Sequence, residues 1–238
     1  MKGMPGKQIL EQATQENRTQ LTEIESKEFL QEAGIPVIET KLAKTKKEAI
    51  SLSKNMGFPV ALKVASPDII HKSDSGGVKL GLANATQVAN AYSEIMSSIR
   101  QNFPQARVQG VSVQKMARPG VEVIIGMNKD AQFGPVLMFG LGGILVELLK
   151  DVAFRLVPLT SKDAEEMIRE IKGYPLLQGY RGQEPVDIPF LEQLIVKVSE
   201  LVEQCPQIRE LDLNPIFAYQ DGAVAVDARI ILETPAEG

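Results

Sequence analysis

The residue pattern predicts an α+β fold. Three observations carry that expectation. Helix-start signatures recur ahead of amphipathic stretches. Nearly continuous apolar runs of strand length lie between them. The C-terminal segment closes on Asp221-Gly222, a two-residue turn signal flanked by alternating segments.

The elements follow in order. Residues 1–20 are polar, with Gly3, Pro5 and Gly6, and read as a loose arm. Thr22 and Glu25 have capping-box spacing, and Ile24, Phe29, Leu30 and Ala33 recur at helical intervals until Gly34 and Pro36. Val37–Ala43 reads as a strand. Thr45 and Glu48 open a second helix that Gly57 ends. Phe58–Ala65 is apolar enough for a buried strand, and 66–81 reads as a Gly-, Ser- and Asp-rich loop or hairpin. Thr86 opens a helix with Val88, Ala91, Tyr92, Ile95, Met96 and Ile99 on one face. Val108–Met116 and Val121–Met127 are expected strands, with Asn128-Lys129-Asp130 as a turn. Pro135–Leu141 and Phe154–Leu159 are further strands. Ser161 caps a charged helix to about Lys172, and Asp187 and Pro189 start one running from Phe190 to about Gln204.

The last hairpin can be read to its register. A two-residue turn at Asp221-Gly222 places Leu213 opposite Ile230, Phe217 opposite Val226 and Tyr219 opposite Val224. Those pairs make one apolar face. Asp212, Asn214, Asp227 and Arg229 then share the other.

The chain has 238 residues, enough to bury roughly 70% of its unfolded surface. It carries 26 Lys plus Arg against 30 Asp plus Glu, a net charge of −4. So mild an acidity gives no global pull toward nucleic acid or an anionic membrane. The single cysteine, Cys205, excludes an internal disulfide and a zinc-finger cluster and fits a reducing cytoplasm. No apolar run approaches membrane-spanning length, and the polar N-terminus lacks a signal-peptide core. His71 is the one histidine.

Five constellations are candidates for chemistry. Lys63 sits on the apolar strand ahead of Ser73-Asp74-Ser75-Gly76-Gly77-Val78-Lys79. A lysine there needs an anion, and paired glycines let backbone N–H groups approach phosphate closely; a plain hairpin turn has the same residues. Asp212, Asn214 and Asp227 are hard oxygen donors suited to Mg²⁺, or a solvated sheet face. His71 lies on a polar loop near the expected phosphate and is a nucleophile when neutral; it is otherwise an exposed histidine. Gln114, Lys115 and Met116, followed by Glu122, can present backbone to an adenine edge and a carboxylate to a ribose, or simply join two strands. Arg155 can clamp a phosphoryl oxygen or pair with Glu147 or Asp151.

Taken together, these segments resemble the β subunit of ADP-forming acyl-CoA synthetases, ATP-grasp proteins related to the β subunit of succinyl-CoA synthetase. The likeness covers about residues 20–233. It rests on Gly57-Phe58-Pro59-Val60-Ala61-Leu62-Lys63, Ile70-His71-Lys72-Ser73-Asp74 with Gly76-Gly77-Val78-Lys79-Leu80, and Gln132-Phe133-Gly134-Pro135 with Phe139-Gly140-Leu141-Gly142-Gly143. Leu177-Gln178-Gly179-Tyr180-Arg181-Gly182 and Glu210-Leu211-Asp212-Leu213-Asn214-Pro215 extend it. The resemblance implies an ATP-grasp fold of two α+β lobes, about 21–110 and 111–233, after an arm at 1–20 and before a tail at 234–238. It implies that Lys63, Gly76 and Gly77 contact the phosphates of ADP or ATP, that Gln114, Lys115 and Met116 hold adenine and that Glu122 contacts the ribose or hinge. It further implies that Asp212, Asn214 and Asp227 hold Mg²⁺ and that His71 relays a phosphoryl group. CoA chemistry would then lie on a separate α subunit, in an α₂β₂ assembly. A nucleotide-sensing regulatory module on the same fold is the alternative, and a carboxylate–amine ligase, which needs no His71, is a third reading.

Overall fold

The computed structural model describes residues 6–69, 75–143 and 150–234. The chain divides into two compact units, one of Thr22–Ile24 and Ile38–Ala117, the other of Met1–Leu21, Glu25–Val37 and Arg118–Gly238.

The smaller unit is a four-stranded antiparallel sheet in the order β1-β4-β2-β3, with two helices packed on it. Its strands are β1 (Thr40–Ala43), β2 (Val60–Ala65), β3 (Val78–Leu82) and β4 (Gly110–Lys115); its helices are α3 (Lys46–Met56) and α4 (Ala85–Asn102). The apolar alternation places Val60, Leu62 and Val64 of β2 and Val111 and Val113 of β4 against Val88, Ala91, Ile95 and Ile99 of α4. Each Val, Leu or Ile among them, fully buried, contributes about 1.5–3 kcal/mol. The helix starts lie close to their sequence signals. Thr45 accepts the Glu48 N–H at 3.2 Å, but Glu48 returns its bond to Lys44, one residue before the cap, at 2.8 Å. Asn84, not Thr86, caps α4 by accepting the Gln87 N–H. The segment 66–81 is partly strand: β3 pairs with β2, Lys63 opposite Val78.

The larger unit is a six-stranded sheet in the order β10-β8-β5-β6-β7, with β9 also on β8. Its strands are β5 (Val121–Asp130), β6 (Gly134–Leu141), β7 (Val152–Leu156), β8 (Ile208–Tyr219), β9 (Gly222–Ala225) and β10 (Ala228–Leu232). Helices α1 (Lys7–Gln15), α2 (Glu23–Glu32), α5 (Ser161–Glu170), α6 (Tyr174–Leu177) and α7 (Ile188–Gln204) complete it. Val123, Ile125, Leu137, Phe139, Leu213 and Ile230 share one buried cluster with Leu191, Ile195 and Val198 of α7. Thr160, one residue ahead of Ser161, makes a full capping box with Asp163 for α5.

Four expectations differ from what is observed. Residues 7–15 form a helix rather than a loose arm, because Leu10 and Ala13 reach the core. Gly6 makes this possible at φ +59°, since a Cβ there would lie 2.1 Å from the Phe29 ring. The turn expected at Asn128–Asp130 is strand: Asp130 pairs with Gly134, and its carboxylate takes the N–H groups of Gln132 and Phe133. The C-terminal hairpin turns at Gln220-Asp221, with Tyr219 opposite Gly222 and Phe217 opposite Val224. That register differs from the expected one by two residues, and a further irregularity in β8 between Leu213 and Ile216 reverses the alternation: Leu213, Ile216 and Ala218 face the core, so Phe217 and Tyr219 do not share the face of Leu213 as expected. The expected lobe boundary also differs: β4 belongs with the smaller unit, being hydrogen-bonded to both β1 and β2, while Phe29, Leu30 and Ile35 join the larger core. Among the described residues no helix is long and apolar enough to cross a membrane.

Candidate functional site

In the smaller unit, β2 and β4 assemble one polar cluster. Alternation sends Leu62 and Val64 to the helix-covered core and Lys63 to the opposite face. Lys63 pairs with Ser112 across the ladder and Ala61 with Gln114, so Lys63 and Gln114 are diagonal neighbours on that face. Both are buried. The anion that a buried lysine requires is Glu23: its Oε1 lies 2.8 Å from Lys63 Nζ. Nothing in the local sequence pattern pointed to Glu23, which opens a helix forty residues earlier.

The glycine pair sits beside this lysine. The Val64 N–H donates to the Gly77 carbonyl at 2.7 Å, so Gly77 extends the β2–β3 pairing next to Lys63. Gly76 has φ +69°, and a Cβ there would meet Ser98 Oγ at 2.9 Å; that hydroxyl donates to the Ser75 carbonyl at 3.0 Å. At the far end of β4, the N–H groups of Lys115 and Met116 donate to the carbonyls of Glu39 and Pro59. His71 lies outside the described residues, as do Asp74 and Glu147. Asp68, a near neighbour of His71 in sequence, is taken up by Arg107, whose guanidinium and backbone N–H hold its carboxyl down to about 2.

In the larger unit, the sheet face opposite the core carries Glu122 on β5 and Asp212 and Asn214 on β8. Glu122 explains the glycine-rich end of β6. The Gly142 N–H donates to the Glu122 carbonyl at 2.7 Å, and a Cβ on Gly143 would lie 2.9 Å from Glu122 Oε2. Asp212 stands between Gly126 of β5 and Arg229 of β10. Burial raises its carboxyl above the usual range; Arg229 opposes the rise and Asp227 adds to it. β8 changes partner just here, from β10 at Leu213 to β9 at Ile216. Asn214-Pro215 faces Val226-Asp227 across that break, held by the Val226 N–H on the Pro215 carbonyl at 2.9 Å. Pro215 has no N–H for a regular ladder, which favours the irregularity.

Two carboxylates and an amide oxygen are the donor set of a cation that keeps several waters, which fits Mg²⁺. Among the described residues no group of three or more His, Cys, Asp or Glu could hold a metal by itself. The two other charged candidates serve structure. Arg155 donates to Glu170 at 2.7 Å. Asp151 accepts the N–H groups of Lys172 and Gly173 at 2.8 and 2.7 Å, fixing the turn after α5.

Comparison with known proteins agrees with this geometry. A family model described as an ATP-grasp domain matches residues 12–232. The β subunit of acetate–CoA ligase (ADP-forming) I of Pyrococcus furiosus is 53% identical over 226 residues, spanning 95% of this chain and 97% of that one. An acetate–CoA ligase (ADP-forming) of Archaeoglobus fulgidus is 45% identical over 85% of this chain, which corresponds to 30% of that longer protein. Among solved structures, a dinucleotide-forming acetyl-coenzyme A synthetase of Ca. Korarchaeum cryptofilum superposes with a TM-score of 0.85 and 45% identity, covering 96% of this chain and all of that one. That structure contains coenzyme A and Mg-AMPPCP, and its phosphohistidine segment points towards the nucleotide-binding site. The chain belongs to the ATP-grasp family and, within it, to the β subunits of ADP-forming acetate–CoA ligases.

Proposed function

We propose that this chain is the nucleotide-binding β subunit of an ADP-forming acyl-CoA synthetase, which converts acyl-CoA, ADP and phosphate into the acid, CoA and ATP. The observation that carries the reading is the 53% identity over nearly the whole of both chains. Phosphate displaces CoA from the acyl-CoA on an α subunit, and the acyl phosphate passes its phosphoryl group to a histidine there. His71 accepts that group and gives it to the β-phosphate oxygen of ADP. Each transfer breaks one P–N or P–O bond and forms one, so His71 divides a long transfer into two short ones.

The chain's own residues supply the setting. Lys63 places positive charge against the phosphates, beside the backbone at Gly76 and Gly77. Gln114, Lys115 and Met116 receive the adenine, and Glu122 the ribose. Asp212, Asn214 and Asp227 would hold Mg²⁺, which would supply positive charge against the phosphates. The partner is a separate CoA-binding α subunit in an α₂β₂ assembly, a reading supported by the β subunits that this chain matches over nearly their whole length. The assembly is cytoplasmic, in keeping with the unpaired Cys205.

The test is transfer from γ-phosphate-labelled ATP and Mg²⁺ to the chain with its α subunit present. Acid-labile, alkali-stable label is expected on the wild type and absent from His71→Ala. Absence of label from both, with nucleotide binding intact, would replace this reading with a nucleotide-sensing module.

A further inference from the structure

Among the described residues of the smaller unit, the Lys63–Glu23 ion pair is deep enough to matter for ligand binding. Lys63 Nζ and Glu23 Oε1 are 2.8 Å apart, and their side chains are only 8% and 5% exposed. Glu23 is the first residue of α2 and groups with the smaller unit, whereas Phe29 and Leu30 of the same helix belong to the larger unit's core. Its placement is therefore set at the helix start and not by the apolar face of the helix. Lys63 lies on the face of its sheet away from the core that α4 packs on, with Ser112 opposite it and Gln114 diagonal to it. An ammonium has three protons. One directed at Glu23 fixes the orientation of a long side chain.

We infer that Glu23 is a positioning residue for nucleotide binding, acting through Lys63. This rests on the reading of Lys63 as a phosphate contact. The physical argument is preorganisation. A free lysine side chain loses rotamer freedom when it closes on a phosphate, and an anchored one has lost it already. The carboxylate also compensates the buried ammonium while the nucleotide is away. A glutamate meets both needs; an amide at the same place keeps an acceptor and loses the charge.

The experiment is a double-mutant cycle on the full chain, reading Mg-ATP affinity by calorimetry. Lys63→Met is expected to weaken binding. Glu23→Gln is expected to weaken it about tenfold in the wild-type background and to have no further effect beside Lys63→Met. Glu23→Asp, which keeps the charge with a shorter reach, is expected to fall between wild type and Glu23→Gln. Equal losses from Glu23→Gln in both backgrounds would overturn the inference, since a merely structural role does not depend on Lys63. So would wild-type or tighter binding by Glu23→Gln, the latter meaning that Glu23 competes with the phosphates. If Glu23→Gln does not fold, Glu23→Asp and Glu23→Asp with Lys63→Met give the same cycle. Wild-type affinity in Lys63→Met alone would refute the phosphate-contact reading itself and leaves a different signature from any of these.

Discussion

At the scale of single residues, burial gives Asp212 a cost in stability at neutral pH. Burial and Asp227 raise its carboxyl, with Arg229 in opposition. The folded chain holds that proton more tightly than the unfolded chain does. Its contribution therefore favours folding below the ordinary carboxylate range and is lost as the pH rises through that range toward neutrality. Asp212→Asn removes the penalty. Its thermal midpoint at neutral pH is expected to rise, by about 2–4 °C for each kcal/mol relieved, with the gain closing below about pH 4. The same variant should lose metal-dependent nucleotide affinity, and a lower midpoint at neutral pH would contradict the argument. Cys205 is a simpler case. It is fully buried, and desolvation pushes its thiol up to about 11. A disulfide reagent at about pH 8 should leave the native thiol unmodified, and labelling in denaturant should follow unfolding. Fast labelling of the native chain would show that this corner of the core opens readily.

At the scale of elements, single polar groups tie helices to the loops before them. The buried Ser199 hydroxyl of α7 accepts the Leu159 N–H at 2.8 Å, and Thr160 starts α5 in the next residue. Ser199→Ala strands a buried donor and is expected to cost about 1–3 kcal/mol. Thr160→Ala removes only a cap and is expected to cost about 1 kcal/mol. Urea unfolding would read both as a lower midpoint at unchanged slope, and the reverse order of effects would refute the assignment. Sequence signals located α3, α5 and α7 well because caps are local chemistry. The hairpin was less legible. Asp221-Gly222 looks like the turn, but Gly222 is the first residue of β9, with φ +124°, and the break at Val226-Asp227 divides what read as one strand. The register moved by an even number, so Asp212, Asn214 and Asp227 stayed together.

For the whole molecule, ligand binding links the site to stability by mass action. Mg-ATP at about a hundred times its dissociation constant should stabilise the chain by about 2.7 kcal/mol. Adding a chelator should remove much of that gain if Asp212, Asn214 and Asp227 hold a metal against the phosphates. An unchanged midpoint with nucleotide, in the presence of Mg²⁺, would count against nucleotide binding by the chain itself. Each unit carries its own buried cluster, one around β2, β4 and α4 and the other around β5, β8 and α7.

Much of this protein was legible before any coordinates. The apolar run at Phe58–Ala65 marks β2 and its lysine as needing an anion, the pairing of the last strands puts Asp212, Asn214 and Asp227 on one face, and the ordered motifs from Gly57 to Pro215 identify the family. These depend on short-range periodicity and on residue chemistry, which one strand or one turn expresses by itself. Three features only the tertiary structure decided. Glu23 meets Lys63 across forty residues. Glu122 lies against Gly142 and Gly143 because β5 and β6 are paired. Residues 7–15 fold as a helix because Leu10 and Ala13 reach the core, with Gly6, which has no Cβ, lying against the Phe29 ring. Each is a contact between segments whose sequences carry no record of one another, since burial and charge compensation are satisfied by whichever partner the packed chain brings near.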